Sequence, residues 1–211
     1  MDTLNKIKLL EREQKKYDLL HQNIKYGGRT GRAKQFFKND DAFHKTVRSI
    51  MKTSKTMLDV GCGKGFFIDV FSSHFKNLAI TGCDISQTAI QGRPDLHLML
   101  CSAHKMPFKD GQFDIVAHMD GMEHIPAEIE LDVMNELSRV AKRYMYMTIA
   151  THPVKHHDDK YEKQGLGAVH INMKTADEWR HFISKFCIEN GFNFIDFQDY
   201  KDWVHVLIGV M

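Results

Sequence analysis

The stretch LDVGCGKGFF (58–67) sets an acid and three alternating glycines between two apolar runs. Leu58, Asp59 and Val60 close a strand-like segment, TMLDV (56–60), and the apolar run over 65–76 reads as a helix. Between them, Gly61, Gly63 and Gly65 allow a tight turn in which backbone approaches a ligand closely. Amide groups and a helix N-terminus at such a turn favour an anionic group.

The rhythm continues outward. Strand-like runs at 78–84, 96–101, 113–119 and 144–150 alternate with helix-like runs at 86–91 and 127–141, the last begun by Pro126. Alternation of this kind predicts an α/β fold with a parallel sheet and helices on both faces. The C-terminal part differs. Thr175 and Glu178 form a capping box for a helix over 175–190, which Asn190-Gly191 ends. Strand-like runs at 192–200 and 203–210 follow with only Lys201-Asp202 between them, so they pair antiparallel. Upstream, apolar spacing predicts a helix over 3–22, a basic glycine-rich loop KYGGRTGR (25–32), and a helix from Asp40 to Lys52.

With 43% hydrophobic and 27% charged residues, the 211-residue chain fits one domain, or one domain with an appendage. No apolar run approaches the ~20 residues of a membrane span, so no membrane insertion is expected. The N-terminal residues are charged throughout and lack a signal-peptide core, which predicts a cytoplasmic protein. Cys62, Cys83, Cys101 and Cys187 form no CxxC pair, so reduced thiols are expected. Residues 1–55 carry net positive charge and the remainder net negative charge. The basic arm suits an anionic partner, although a solvated helix face accounts for it as well.

Three ligands compete for the glycine turn. A phosphate loop requires GxxxxGK[ST], which is absent. A dinucleotide fold wants a third glycine where Phe66 stands. S-adenosyl-L-methionine has no pyrophosphate and suits GxGxG with an acid just before it. Asp84, closing the second strand in TGCDIS, is placed to accept hydrogen bonds from ribose hydroxyls, and the plainer alternative is a helix-capping acid.

The segments LDVGCGKG (58–65), GCDIS (82–86) and CSAHKMPFKDGQFDIVAHMDGMEHI (101–125) together resemble the class I S-adenosylmethionine-dependent methyltransferases. The resemblance covers about residues 55–150. It implies a Rossmann-like, seven-stranded, mostly parallel sheet whose C-terminal hairpin is antiparallel. It also implies donor contacts at Asp59, Gly61, Gly63, Asp84, Ile85 and Met119. Ala103 would meet the adenine, with Ser102 where relatives often carry an acid. Residues 1–54 would cover the donor, 55–211 would form the core, and 151–174 would be an acceptor-side loop.

Methyl transfer from a sulfonium needs alignment of the acceptor and exclusion of water. A base is needed only where the acceptor loses a proton. His124 and His170 are the candidates, because an imidazole titrates near ~6.5; packing beside the donor is the plainer reading of His124. Asp120, Glu123, His124 and His170 also resemble the divalent-metal set of RNA 3′-terminal 2′-O-methyltransferases, and the E-x-x-E-H of ubiquinone-pathway O-methyltransferases. Asp120 is one methylene shorter than the acid those families place there. The His156-His157 pair reads as a solvated loop feature. Phe36, Phe37 and Phe43 beside Lys34 and Lys38 either stack nucleic-acid bases or pack a helix. HINMKTADEWRHFI (170–183) looks like a segment that borders the acceptor pocket in small methyltransferases of saccharide and cell-envelope gene sets. The expected function is O-methylation of a small-molecule or saccharide-like acceptor. The rivals are metal-assisted RNA ribose methylation and a non-catalytic donor-binding module.

Overall fold

The computed structural model describes residues 2–23, 29–152, 163 and 167–210. Its seven strands form one mixed sheet in the order β3-β2-β1-β4-β5-β7-β6. The chain divides into two compact units, Met1–Pro107 and Phe108–Met211.

The first unit holds α1 (Thr3–Asn23), α2 (Arg29–Lys38), α3 (Ala42–Thr53), β1 (Thr56–Val60), α4 (Phe66–His74), β2 (Ala79–Asp84), α5 (Gln87–Gln91) and β3 (Leu98–Leu100). β1 and β2 run parallel with Val60 opposite Cys83, and β2 and β3 run parallel with Asp84 opposite Leu100. This register brings the ends of the strands, and the loops that follow them, to one edge. Asp41 caps α3, accepting the His44 N–H at 2.9 Å.

Helix α2 departs from the sequence expectation. A loop is expected over 25–32, yet the chain is helical from Arg29, through Gly31; residues 25–28 lie outside the described residues. Tertiary packing supplies the reason. Phe36 lies 5.0 Å from Phe71, and Phe37 stacks on His74 at 3.7 Å, both on α4. Burying aromatic surface outweighs the helix penalty of one glycine, about 1 kcal/mol. These phenylalanines therefore pack one helix on another and do not form a base-stacking platform. Arg48 ties the end of α2 to α3 by donating to the carbonyls of Phe36 and Asn39.

The second unit holds β4 (Phe113–Met119), α6 (Glu130–Val140), β5 (Ala141–Ala150), α7 (Ala176–Asn190), β6 (Asn193–Asp199) and β7 (Trp203–Gly209). β4 and β5 are parallel, whereas β7 is antiparallel to both β5 and β6. The hairpin closes with Tyr200 N–H donating to Trp203 O at 2.8 Å, and Lys201 takes φ 71°. The helix expected over 127–141 begins instead as a 3-10 turn, Ala127–Ile129, before α6. Its expected end also falls short, because Ala141 already belongs to β5.

The capping box of α7 is complete. Glu178 N–H donates to Thr175 Oγ1, and Thr175 N–H donates to Glu178 Oε2 at 2.8 Å. Bonds from Thr175 hold the Glu178 carboxyl below its ordinary range. A depressed carboxyl contributes stability above its unfolded pKa and loses it as pH falls through the folded one. Thr175→Ala is expected to cost about 1 kcal/mol in a denaturant titration at neutral pH. The difference between variant and parent is expected to shrink in acid.

Candidate donor site and histidine cluster

In the first unit the three glycines of the turn all lie in the left-handed region, Gly61 at φ 71°, Gly63 at 54° and Gly65 at 73°. A Cβ on Gly65 would also meet Leu96 Cδ1 at 2.4 Å. The left-handed conformation therefore favours glycine at the start of α4, and a Cβ there would also require the Leu96 side chain to shift.

The amides of the turn are engaged by the fold. Gly61 and Cys62 N–H donate to Cys83 O at 2.8 and 3.0 Å, and Gly65 N–H donates to Cys62 O. Gly63 N–H donates to Asp84 Oδ2 at 2.7 Å, and Ser86 N–H donates to Asp84 Oδ1 at 2.8 Å. A pyrophosphate would have to compete for these donors, which argues against a dinucleotide. Asp84 is not the helix cap considered above: Ser86 caps α5, its Oγ accepting the Ala89 N–H.

Asp84 is 8% exposed. A carboxylate offers about four acceptor positions, and each Asp84 oxygen accepts one of these backbone N–H groups. Its position at the tip of β2 is the one the resemblance implies for an acid that meets the ribose. Asp59 is buried at the end of β1, opposite Gly82. Ile85, Ser102 and Ala103 are half-buried in the segments following β2 and β3, and Ser102 Oγ lies 2.7 Å from His104 Nδ1. His104 has no counterpart in the sequence reading, because nothing in its spacing marks it. Met119 ends β4 in the second unit and is buried.

Thiols also lie at the ends of the first three strands: Cys83 within β2, and Cys62 and Cys101 just after β1 and β3. Cys62 and Cys83 are buried and Cys101 is partly exposed, while Cys187 is buried in α7. A hydrogen bond from Cys101 and then burial push the Cys83 thiol up, and burial pushes Cys187 up to about 11. A raised thiol pKa leaves little thiolate near neutrality, and thiolate is the reactive form. Alkylation of native protein at pH 8 is expected to label Cys101 first, with the other three reacting only on unfolding. Mass spectrometry of the labelled peptides checks this order.

In the second unit the turn after β4 is locked by Thr148. Asp120, at φ 53°, donates its N–H to Thr148 O and Oγ1, both at 2.9 Å. Asp120 Oδ1 accepts the Thr148 hydroxyl at 2.9 Å. Gly121 packs on His118, whose Cε1 would lie 2.2 Å from a Cβ at that position. These contacts set the following 3-10 turn, Met122–His124. Residues 167–172 then dock on that turn. Ile171 and Asn172 N–H both donate to Glu123 O, and His124 Nδ1 lies 2.8 Å from Val169 O.

A carbonyl can only accept, so His124 Nδ1 carries the proton and a neutral ring keeps its lone pair on Nε2. The His124 and His170 rings stack at 4.9 Å and 25°. Glu123, His124 and His170 form a cluster whose donor atoms all lie within 4.8 Å of one another. Asp120 is outside that cluster. Such a group suits proton transfer and also matches the ligand chemistry of a divalent ion. Of the acceptor-side loop expected over 151–174, the described residues are 151, 152, 163 and 167–174; His156 and His157 lie outside them.

Residues 58–149 match the methyltransferase domain family. The seven-stranded, mostly parallel sheet with its antiparallel C-terminal hairpin is the one the class I resemblance implies. Over residues 58–149, just under half of its length, the chain is similar to methyltransferase domains. Domains of this class use S-adenosyl-L-methionine as methyl donor. The match is to relatives of greater length. A chloroplastic tocopherol O-methyltransferase of Arabidopsis thaliana is 34% identical over 100 residues, covering 43% of this chain and 28% of that protein. A probable counterpart in Oryza sativa subsp. japonica is 30% identical over 99 residues, covering 43% and 27%. The chain thus spans just over a quarter of the length of these relatives. Among solved structures, the PH0226 protein of Pyrococcus horikoshii OT3 aligns at TM-score 0.61 and 17% identity, over 80% of this chain and 88% of that one. The methyltransferase domain of bacterial CtHen1-C aligns at 0.62 and 14%, over 79% and 95%. At such identities these two structures establish the fold alone. No described helix is long and apolar enough to cross a membrane.

Proposed function

We propose that the protein is an S-adenosylmethionine-dependent O-methyltransferase acting on a small-molecule or saccharide-like hydroxyl. One observation carries this reading: His124 is held by Val169 O in the tautomer that leaves Nε2 as an acceptor, beside a second imidazole. The bound donor supplies a methyl group made electrophilic by a sulfonium. Asp84 accepts the ribose hydroxyls, and Gly61 and Gly63 let the backbone come close beneath them. His124 Nε2 would take the hydroxyl proton as the acceptor oxygen bonds to the methyl carbon and the carbon–sulfur bond breaks, its electron pair passing to sulfur to leave neutral S-adenosyl-homocysteine; His170 would share the charge on His124. Residues 1–54 form the donor's cover in this reading, and residues 151–174 border the acceptor. We take the compartment to be the cytoplasm, where the four free thiols stay reduced.

The test uses methyl-labelled donor with panels of phenolic and saccharide hydroxyl acceptors, with and without a chelator. Transfer that survives chelation supports the proposal. Transfer to no acceptor of any class, with donor binding intact, favours a non-catalytic binding module, and absent donor binding sinks both.

A second reading, metal-assisted methylation of an RNA ribose, is favoured by the Glu123, His124 and His170 cluster. It predicts transfer to RNA that chelation abolishes, and RNA binding that weakens steeply with salt.

A further inference from the structure

A chain of hydrogen bonds links the N-terminal helix to the acid proposed to hold the donor. Asp18, in α1, accepts the Ser86 hydroxyl at 2.8 Å and the Thr88 N–H at 2.9 Å, both on Oδ1. Ser86 N–H in turn donates to Asp84 Oδ1, and the other oxygen of Asp84 accepts the Gly63 N–H. Asp18, Ser86, Asp84 and Gly63 thus form one continuous line from α1 to the glycine turn. Ser86 is completely buried and Asp18 half-buried, so the Ser86 end of these bonds is shielded from water.

The arrangement bears on donor binding because α5 is only five residues long. A helix that short does not hold itself, since its nucleation cost exceeds what one or two internal bonds return. Its first-turn N–H groups need outside acceptors. Ser86 Oγ supplies one for Ala89, and Asp18 supplies the other for Thr88 across 70 residues of sequence. The backbone that leaves Asp84 is therefore oriented by a side chain from another helix.

We infer that Asp18 is a positioning residue for the donor site: it couples docking of α1 to the geometry of Asp84. This inference rests on the proposed function, because it assumes that Asp84 meets the ribose. Coupling of this kind is reciprocal. Docked α1 tightens donor binding, and bound donor holds α1 in place.

The experiment measures S-adenosyl-homocysteine binding by calorimetry in the parent, Asp18→Ala and Asp18→Asn proteins. In parallel it follows tryptic cleavage within α1, at Lys6, Lys8, Arg12, Lys15 and Lys16, with and without that ligand. Asp18→Ala is expected to bind about fivefold more weakly or worse. Asp18→Asn keeps an acceptor oxygen and is expected to restore affinity to within about twofold of the parent. Ligand is expected to slow cleavage of α1 in the parent and in Asp18→Asn, but not in Asp18→Ala. A purely structural role for Asp18 would not make that protection depend on ligand. If Asp18→Ala folds poorly, Ser86→Ala breaks the same line and carries the test. Parent-like affinity in Asp18→Ala, or an equal loss in Asp18→Asn, overturns the inference while the donor reading stands. A parent protein that binds no S-adenosyl-homocysteine overturns the donor reading itself.

Discussion

Asp84→Ala is expected to weaken S-adenosyl-homocysteine binding at least ~tenfold, about 1.4 kcal/mol. The figure is conservative. Hydrogen bonds to a charged group are each worth about 1.5–3 kcal/mol, and a ribose diol would make two. The substitution also releases the Gly63 and Ser86 N–H groups, each now bonded to a carboxylate oxygen. The melting temperature without ligand is therefore expected to fall as well, and the two effects need separating. Asp84→Asn separates them, since the amide oxygen can keep one backbone bond while the charge is lost. Its melting temperature should lie between those of parent and alanine variant, with affinity still well below the parent. Parent-like affinity in Asp84→Ala by calorimetry would remove this acid from the donor site.

His124→Ala is expected to lower turnover by about a hundredfold to ten-thousandfold, the usual contribution of a positioned acid–base group. Donor affinity should stay near that of the parent. The grounds are local geometry: Nδ1 is committed to Val169 O, the ring stacks on His170, and Glu123 beside them is wholly buried. If His124 merely packs beside the donor, the alanine variant will lose donor affinity and keep its turnover at saturation. That pattern would sink the general-base role. His170→Ala should show a smaller loss in the same direction, because its part is to share charge. Glu123→Gln adds a further comparison. It matters most under the metal-assisted reading, where it should raise the metal concentration needed for activity.

Much of the fold was legible in single segments. The turn at 61–65 and the cap at Thr175 depend on what one residue type permits, left-handed backbone in glycine and a hydroxyl acceptor in threonine. Local chemistry of that sort is written wherever the residue stands. The alternation of strand and helix was readable for the same reason, since burial of one face imposes a period. Helix α2 was not, because its helical state depends on Phe36 and Phe37 meeting Phe71 and His74 on α4. Helix α6 started late because the residues after Pro126 took a 3-10 turn first.

By itself the sequence determined the glycine turn, the acid at the tip of β2, the order of strands and helices, and the reversed final hairpin. Only tertiary structure decided which distant side chains meet. Sheet register placed Asp84 against Gly63, docking of 167–172 on the turn after β4 brought His170 to His124, and packing of α1 brought Asp18 to Ser86. Such pairings carry no local mark. A hydrogen bond between remote residues forms only once the whole chain has buried its apolar faces and fixed where each strand ends.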